Sequence, residues 1–133
     1  MKRSQINYAI DKAHAIAGTF RVCLPEFAFF TASDWQHQTL ADRREVFELE
    51  LGWDITDFGR GDFSRIGLTL LTLRNGRIGS SRYPKPYAEK MLQIQQEQQT
   101  PWHFHTHKME DIVNRGGGDL CICLLYTSPS PRD

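Results

Sequence analysis

Apolar residues Ile6, Ala9, Ile10, Ala13, Ile16 and Ala17 recur at three- and four-residue spacing, which puts them on one face of a helix. Ser4 can cap that helix and Gly18 can stop it. From Phe20 to Phe30 the chain is rich in aromatic and β-branched residues around Pro25, a pattern expected of an irregular or edge strand. Ser33-Asp34 can cap a short helix, and Ala41 to Leu51 suits another, although Val46 to Leu51 also alternates like a strand. Alternation is cleaner in Trp53-Asp-Ile-Thr-Asp-Phe58, which runs into a loop at Gly59 and Gly61. Ile66 to Leu73 reads as a buried strand ended by Asn75-Gly76, with Ile78 continuing on the far side of a hairpin. Tyr87 to Gln95 fits helix or strand equally. The Gln93-to-Gln99 run reads as a turn, and Thr100 to His107, of period two after Pro101, as an extended strand.

Helices first and strands afterwards predict a mainly β or α+β domain with helical decoration. The chain has 133 residues, enough for one domain. Sixteen basic and sixteen acidic residues cancel, so neither nucleic acid nor an anionic membrane surface is an expected partner. No apolar run is long enough to span a bilayer, and the start at Met1-Lys2-Arg3 leads into an amphipathic segment rather than a signal peptide. Cys23, Cys121 and Cys123 form neither a CxxC pair nor a disulfide framework, and a reducing cytoplasm is the expected setting.

Cys123 to Asp133 has no periodicity, and its Ser-Pro-Ser-Pro would stop a strand. The string resembles one reading frame of a transposase-end sequencing adapter. We therefore expect residues 1–122 to be genuine domain and 123–133 a non-native tail; the alternative is a natural Pro/Ser-rich tail. On that expectation the native chain is cut near Ile122, within an apolar stretch, before a barrel is complete.

The chemistry is concentrated between Thr100 and Gly118. On a strand, His103 and His105 would share a face, where neutral imidazoles can converge on one divalent ion. Glu110 follows at a distance that lets a turn bring its carboxylate back. Two histidines and a carboxylate form a mixed N/O set with open positions for substrate oxygens. The other reading of a His-x-His pair is a partly exposed edge strand without metal. The spacing H-x-H-x4-E-x6-G, ending at Gly117, resembles the first motif of the cupin superfamily, in which such residues bind metal inside a β barrel. It departs from that motif at Glu97, six residues before His103, where cupins usually carry glycine. His107 falls on the same face by alternation and is expected at the rim. Trp102 and Phe104 are expected to pack in the barrel wall, and His14 and His37 to lie on helix surfaces.

Longer stretches are similar to the D-lyxose ketol-isomerase family: Leu51-Gly-Trp-Asp-Ile-Thr-Asp-Phe-Gly59, Leu73-Arg-Asn-Gly76, Tyr83-Pro-Lys-Pro-Tyr-Ala-Glu-Lys90 and Lys108-Met-Glu-Asp-Ile-Val-Asn-Arg-Gly-Gly-Gly118. With the first helix they cover residues 1–122. The resemblance implies a cupin-type barrel, incomplete here and preceded by N-terminal helices. It implies interconversion of D-lyxose with D-xylulose, and also of D-mannose with D-fructose, by a homodimer using a divalent metal, usually Mn2+. Three of the family's four metal ligands carry over onto His103, His105 and Glu110. A fourth histidine and a C-terminal acid have no counterpart, so the fragment is expected to be inactive.

Isomerisation of an aldose requires the oxygens on C1 and C2 to be held and polarised while a proton moves between those carbons. Lys90 and Lys108 are the basic candidates, either as the base or to neutralise the enediolate oxygen, and each can equally be a solvated surface lysine. Arg115 can hold a sugar hydroxyl or face water. Other metal cupins, such as a dioxygenase, and a non-catalytic sugar- or metal-binding cupin are the competing readings.

Overall fold

The computed structural model describes residues 1–125 and divides the chain into two compact units, Met1–His103 and the segment from Phe104 onward. Among the described residues the first unit holds all the regular structure: α1 (Arg3–Thr19), a 3-10 turn (Glu26–Phe29), α2 (Ala32–Gln36), α3 (Arg44–Glu48), β1 (Gly52–Thr56), β2 (Leu68–Arg74) and β3 (Glu89–Gln93). The strands form one open antiparallel sheet in the order β1-β2-β3. Helices followed by an open sheet are consistent with an incomplete β-rich fold.

In α1 the three alanines of the apolar face, Ala9, Ala13 and Ala17, are buried, and their small size lets the helix approach the sheet closely. The cap is Lys2 rather than Ser4: its backbone N–H donates to the Gln5 carboxamide at 2.8 Å. Thr31 caps α2, its hydroxyl accepting from the Asp34 N–H while the Asp34 carboxylate accepts the Thr31 N–H at 2.7 Å. The Thr31 hydroxyl, donating to the Asp34 carboxylate at 2.7 Å, and the Thr31 N–H beside it hold the Asp34 carboxyl below its ordinary value.

Register sets the two faces of the sheet. Trp53 pairs with Leu71 and Leu71 with Met91; Asp54 pairs with Leu70 and Leu70 with Leu92. Opposed residues share a face, so Trp53, Leu71 and Met91 lie on one side and Asp54, Leu70, Thr72, Lys90 and Leu92 on the other. Leu71 is completely buried.

Three further sequence expectations are corrected. Phe20 to Phe30 contains the 3-10 turn instead of an edge strand, because α1 and β1 both bond to Ala28. His14, expected on the surface, is half-buried. One ring nitrogen lies 2.9 Å from the Ala28 carbonyl oxygen, and the ring stacks on Phe29 at 4.7 Å and meets the edge of Trp53 at 5.4 Å. Trp53 Nε1 donates to the same carbonyl at 2.8 Å, so one oxygen ties helix, turn and strand together.

The third correction is the hairpin at Asn75-Gly76. Ile78 is almost fully exposed and lies outside any strand; residues 75–88 form a loop before β3. The loop is tied to α3 and the residues after it: Asn75 Nδ2 donates to the Leu49 carbonyl at 3.1 Å, Arg77 to the Glu48 carbonyl at 2.8 Å, and Lys85 to the Glu45 carboxylate at 3.2 Å. Gly76 is required there, since a Cβ would fall 1.8 Å from the Lys85 carbonyl oxygen. Tyr83 is buried beneath this loop, and desolvation together with the Glu48 carboxylate raises its phenol above the ordinary value.

Candidate metal centre

From Trp102 to Leu125 every described residue is exposed, and none belongs to a strand. The expected strand over residues 100–107 is therefore absent, and Trp102 (71% exposed) and Phe104 (84%) are not in a wall. A strand needs a neighbour for its backbone hydrogen bonds. The one bridge nearby, between Ile66 and Gln99, ends just before Thr100, with Gly67 N–H donating to the Gln99 carbonyl and Gln99 N–H to the Arg65 carbonyl. The turn that leads there contains Glu97 at φ 59°, a left-handed conformation that a glycine adopts with less strain. Glu97 thus holds a turn position that favours glycine.

Without a strand, His103, His105 and Glu110 still converge. One donor atom from each lies within 4.8 Å of the others. His105 Nε2 is 3.0 Å from Glu110 Oε1. Two donors bound at about 2.1 Å to one ion and at right angles are about 3.0 Å apart, so this pair already has coordination spacing. His103 Nδ1 is 3.0 Å from the Pro101 carbonyl oxygen. That oxygen can only accept, which places the proton on Nδ1 and makes Nε2 the ring nitrogen that carries the lone pair. The donor set is borderline-hard N/O, suited to manganese, iron, cobalt or zinc. The three side chains fit a divalent cation.

Lys108 Nζ lies 3.3 Å from the same Glu110 oxygen, so of the two lysines singled out in the sequence it stands in the cluster. Lys90 is an exposed residue of β3, and Arg115 is exposed just before the Gly116-Gly117-Gly118 run. His107 is exposed and is not one of the three converging donors. Asn114 closes the glycine run: its Nδ2 donates to the Gly118 carbonyl at 2.8 Å and its Oδ1 accepts the Gly116 N–H at 3.1 Å. Sequence reasoning missed the Pro101 carbonyl, although its position two residues before His103 was visible. Of the expected tail, residues 126–133 lie outside the described part, and Cys123 to Leu125 are exposed.

A family model for D-lyxose isomerase matches residues 1–132. The chain belongs to the D-lyxose isomerase family. Two curated relatives, each named D-lyxose/D-mannose isomerase, come from Serratia proteamaculans and Escherichia coli O157:H7. Each is 48% identical over 122 residues, which is 92% of this chain and 54% of the relative. The chain thus spans about half the length of the curated relatives it matches. No helix among the described residues is long and apolar enough to cross a membrane.

Proposed function

We propose that this chain supplies three ligands of a divalent-metal site, His103, His105 and Glu110, to a D-lyxose/D-mannose ketol-isomerase. The observation that carries the reading is the convergence of those three donors in a chain of the D-lyxose isomerase family. Manganese is the proposed ion, and a homodimer of cupin barrels in the cytoplasm the proposed working form. A divalent ion held there supplies Lewis acidity to the oxygens on C1 and C2 of the open-chain sugar.

The chain's own residues do the rest. His103 is oriented by the Pro101 carbonyl, so its ring is aimed before substrate arrives. Lys108, beside the Glu110 carboxylate, places a cation where negative charge develops on the sugar oxygens. Lys108 and Lys90 are the proposed groups for moving the proton from C2 to C1, with the hydroxyl proton shifting from O2 to O1 so that aldose and ketose remain isomers. Arg115 is proposed to hold a sugar hydroxyl.

The test is Mn2+ binding by the full chain, read from loss of the free-ion electron paramagnetic resonance signal. Binding that weakens at least tenfold in His103→Ala, His105→Ala and Glu110→Gln supports the site; wild-type affinity in all three variants would falsify it. A polypeptide of the relatives' length that carries these residues should interconvert D-lyxose and D-xylulose and lose activity in chelator. Oxygen uptake in place of isomerisation would favour a dioxygenase, and sugar binding without turnover a binding protein.

A further inference from the structure

One carboxamide holds together the backbone that leads to the first candidate ligand. Gln98 is only 7% exposed, in a run where Gln96, Glu97 and Gln99 are all exposed. Both backbone groups of Gln95 are bonded to it. The Gln98 N–H donates to the Gln95 carbonyl at 3.0 Å, and Gln98 Oε1 accepts the Gln95 N–H at 3.0 Å. At its other end Nε2 donates to the Phe63 carbonyl, more than thirty residues back in the chain. A buried carboxamide bonded at both ends is held in one orientation. Gly67 admits this arrangement, since a Cβ there would fall 2.6 Å from Gln98 Nε2 and 2.5 Å from the Phe63 carbonyl oxygen.

The anchor is itself well fixed. The Asp62 carbonyl accepts the N–H groups of Arg65 and Ile66 at 3.3 and 2.9 Å, and the Asp62 carboxylate accepts the Ser64 hydroxyl at 2.6 Å. From Gln98 onward the path to His103 is short and constrained. Gln99 bonds through its N–H to Arg65 and through its carbonyl to Gly67. Pro101 has its φ locked at about −65°. Its carbonyl oxygen then lies 3.0 Å from His103 Nδ1.

We propose that Gln98 is a positioning residue for the metal centre. By clamping the 95–98 turn to the Phe63 carbonyl, it holds the Pro101 carbonyl against His103 Nδ1 and keeps the lone pair on Nε2. The inference rests on the reading of His103 as a ligand and adds the group that presents it. Gln98 acts only through the backbone and not on the reacting atoms. An imidazole that changes tautomer and orientation offers Nε2 to an ion only part of the time, and affinity falls by that fraction.

The test uses the full 133-residue chain, metal-free and isotopically labelled in its histidine rings, at a pH where the rings are neutral. Ring-nitrogen resonances, assigned with His103→Ala, report the tautomer. The wild-type chain is expected to hold His103 in the Nδ1–H form. Gln98→Leu fills the space but makes neither side-chain bond, and should shift His103 toward the Nε2–H form while weakening Mn2+ binding roughly threefold or more. Gln98→Glu keeps an acceptor for the Gln95 N–H but sets a carboxylate against the Phe63 carbonyl, and should act in the same direction. Gln96→Leu, at an exposed position in the same turn, should change neither readout. Two results would overturn the proposal. One is a wild-type His103 that does not favour the Nδ1–H form, which requires no variant to fold. The other is a Gln98→Leu chain with native β2 amide resonances, a lowered Tm and an unchanged His103 tautomer, since that is a structural role alone. Failure of the ligand reading registers separately, as a wild-type chain that binds no Mn2+ while the tautomer still follows Gln98. Mn2+ bound with a tautomer indifferent to Gln98 removes the positioning role and leaves the isomerase reading standing.

Discussion

The three-stranded sheet with α1 and the segment from Trp102 to Leu125 are built on opposite terms. In the first, Leu71 is fully buried and Ala9, Ala13, Ala17 and Thr69 nearly so. In the second, Phe104, Met109, Ile112 and Val113 are all exposed, and order comes from short-range polar bonds such as Asn114 to Gly118. The first region holds together by removing apolar area from water; in the second every described side chain stays exposed. Yet the second carries all three candidate ligands, and their meeting needs only local geometry. Ligand spacing is a short-range property, whereas a barrel wall is a long-range one.

The largest expected effect sharpens that contrast directly. Leu71→Ala should cost about 2–5 kcal/mol in urea unfolding, because it deletes a side chain with no access to solvent. Phe104→Ala, larger by volume but 84% exposed, should change stability by less than about 0.5 kcal/mol. Equal losses at the two positions would mean that the exposed segment has packing of its own.

Next comes Mn2+. Saturating ion should raise amide hydrogen-exchange protection at residues 103–110 at least tenfold and leave β2 unchanged. Protection that rose in β2 alone would place the ion elsewhere.

A cap gives a smaller effect. Thr31→Ala should destabilise by about 1 kcal/mol. The cap also predicts an acid-sensitive contribution from Asp34. Its folded pKa lies below the ordinary 3.8, so its contribution is present above that value and fades as pH falls through the lowered one. Asp34→Asn should remove that part of the acid dependence, measured as Tm between neutral pH and strong acid.

The smallest change has the opposite sign. Glu97→Gly should stabilise by about 0.5 kcal/mol by relieving the left-handed strain, a gain readable in Tm.

Much of this architecture was legible along the chain because it depends on short-range rules. The alanine-rich face of α1, the alternation of Trp53 to Thr56 and the buried run of β2 each follow from side-chain period. The His103, His105 and Glu110 set was legible from its motif spacing, as was membership of a sugar isomerase family through its longer stretches. Other features required partners distant in sequence. His14 looked like a surface histidine until the Ala28 carbonyl, Phe29 and Trp53 were brought against it. Thr100 to His107 alternates like a strand, but period alone cannot supply the neighbour whose hydrogen bonds make a strand.

The sequence by itself determined α1, the cores of β1 and β2, the candidate ligands and the family, because periodicity and motif spacing act over a few residues. Only the tertiary structure decided which strands pair and in what register, which face of the sheet stays open, and that Gln98 bonds to the Phe63 carbonyl. Those outcomes depend on contacts between residues far apart in the chain, and strand pairing is what fixes which side chains share a face.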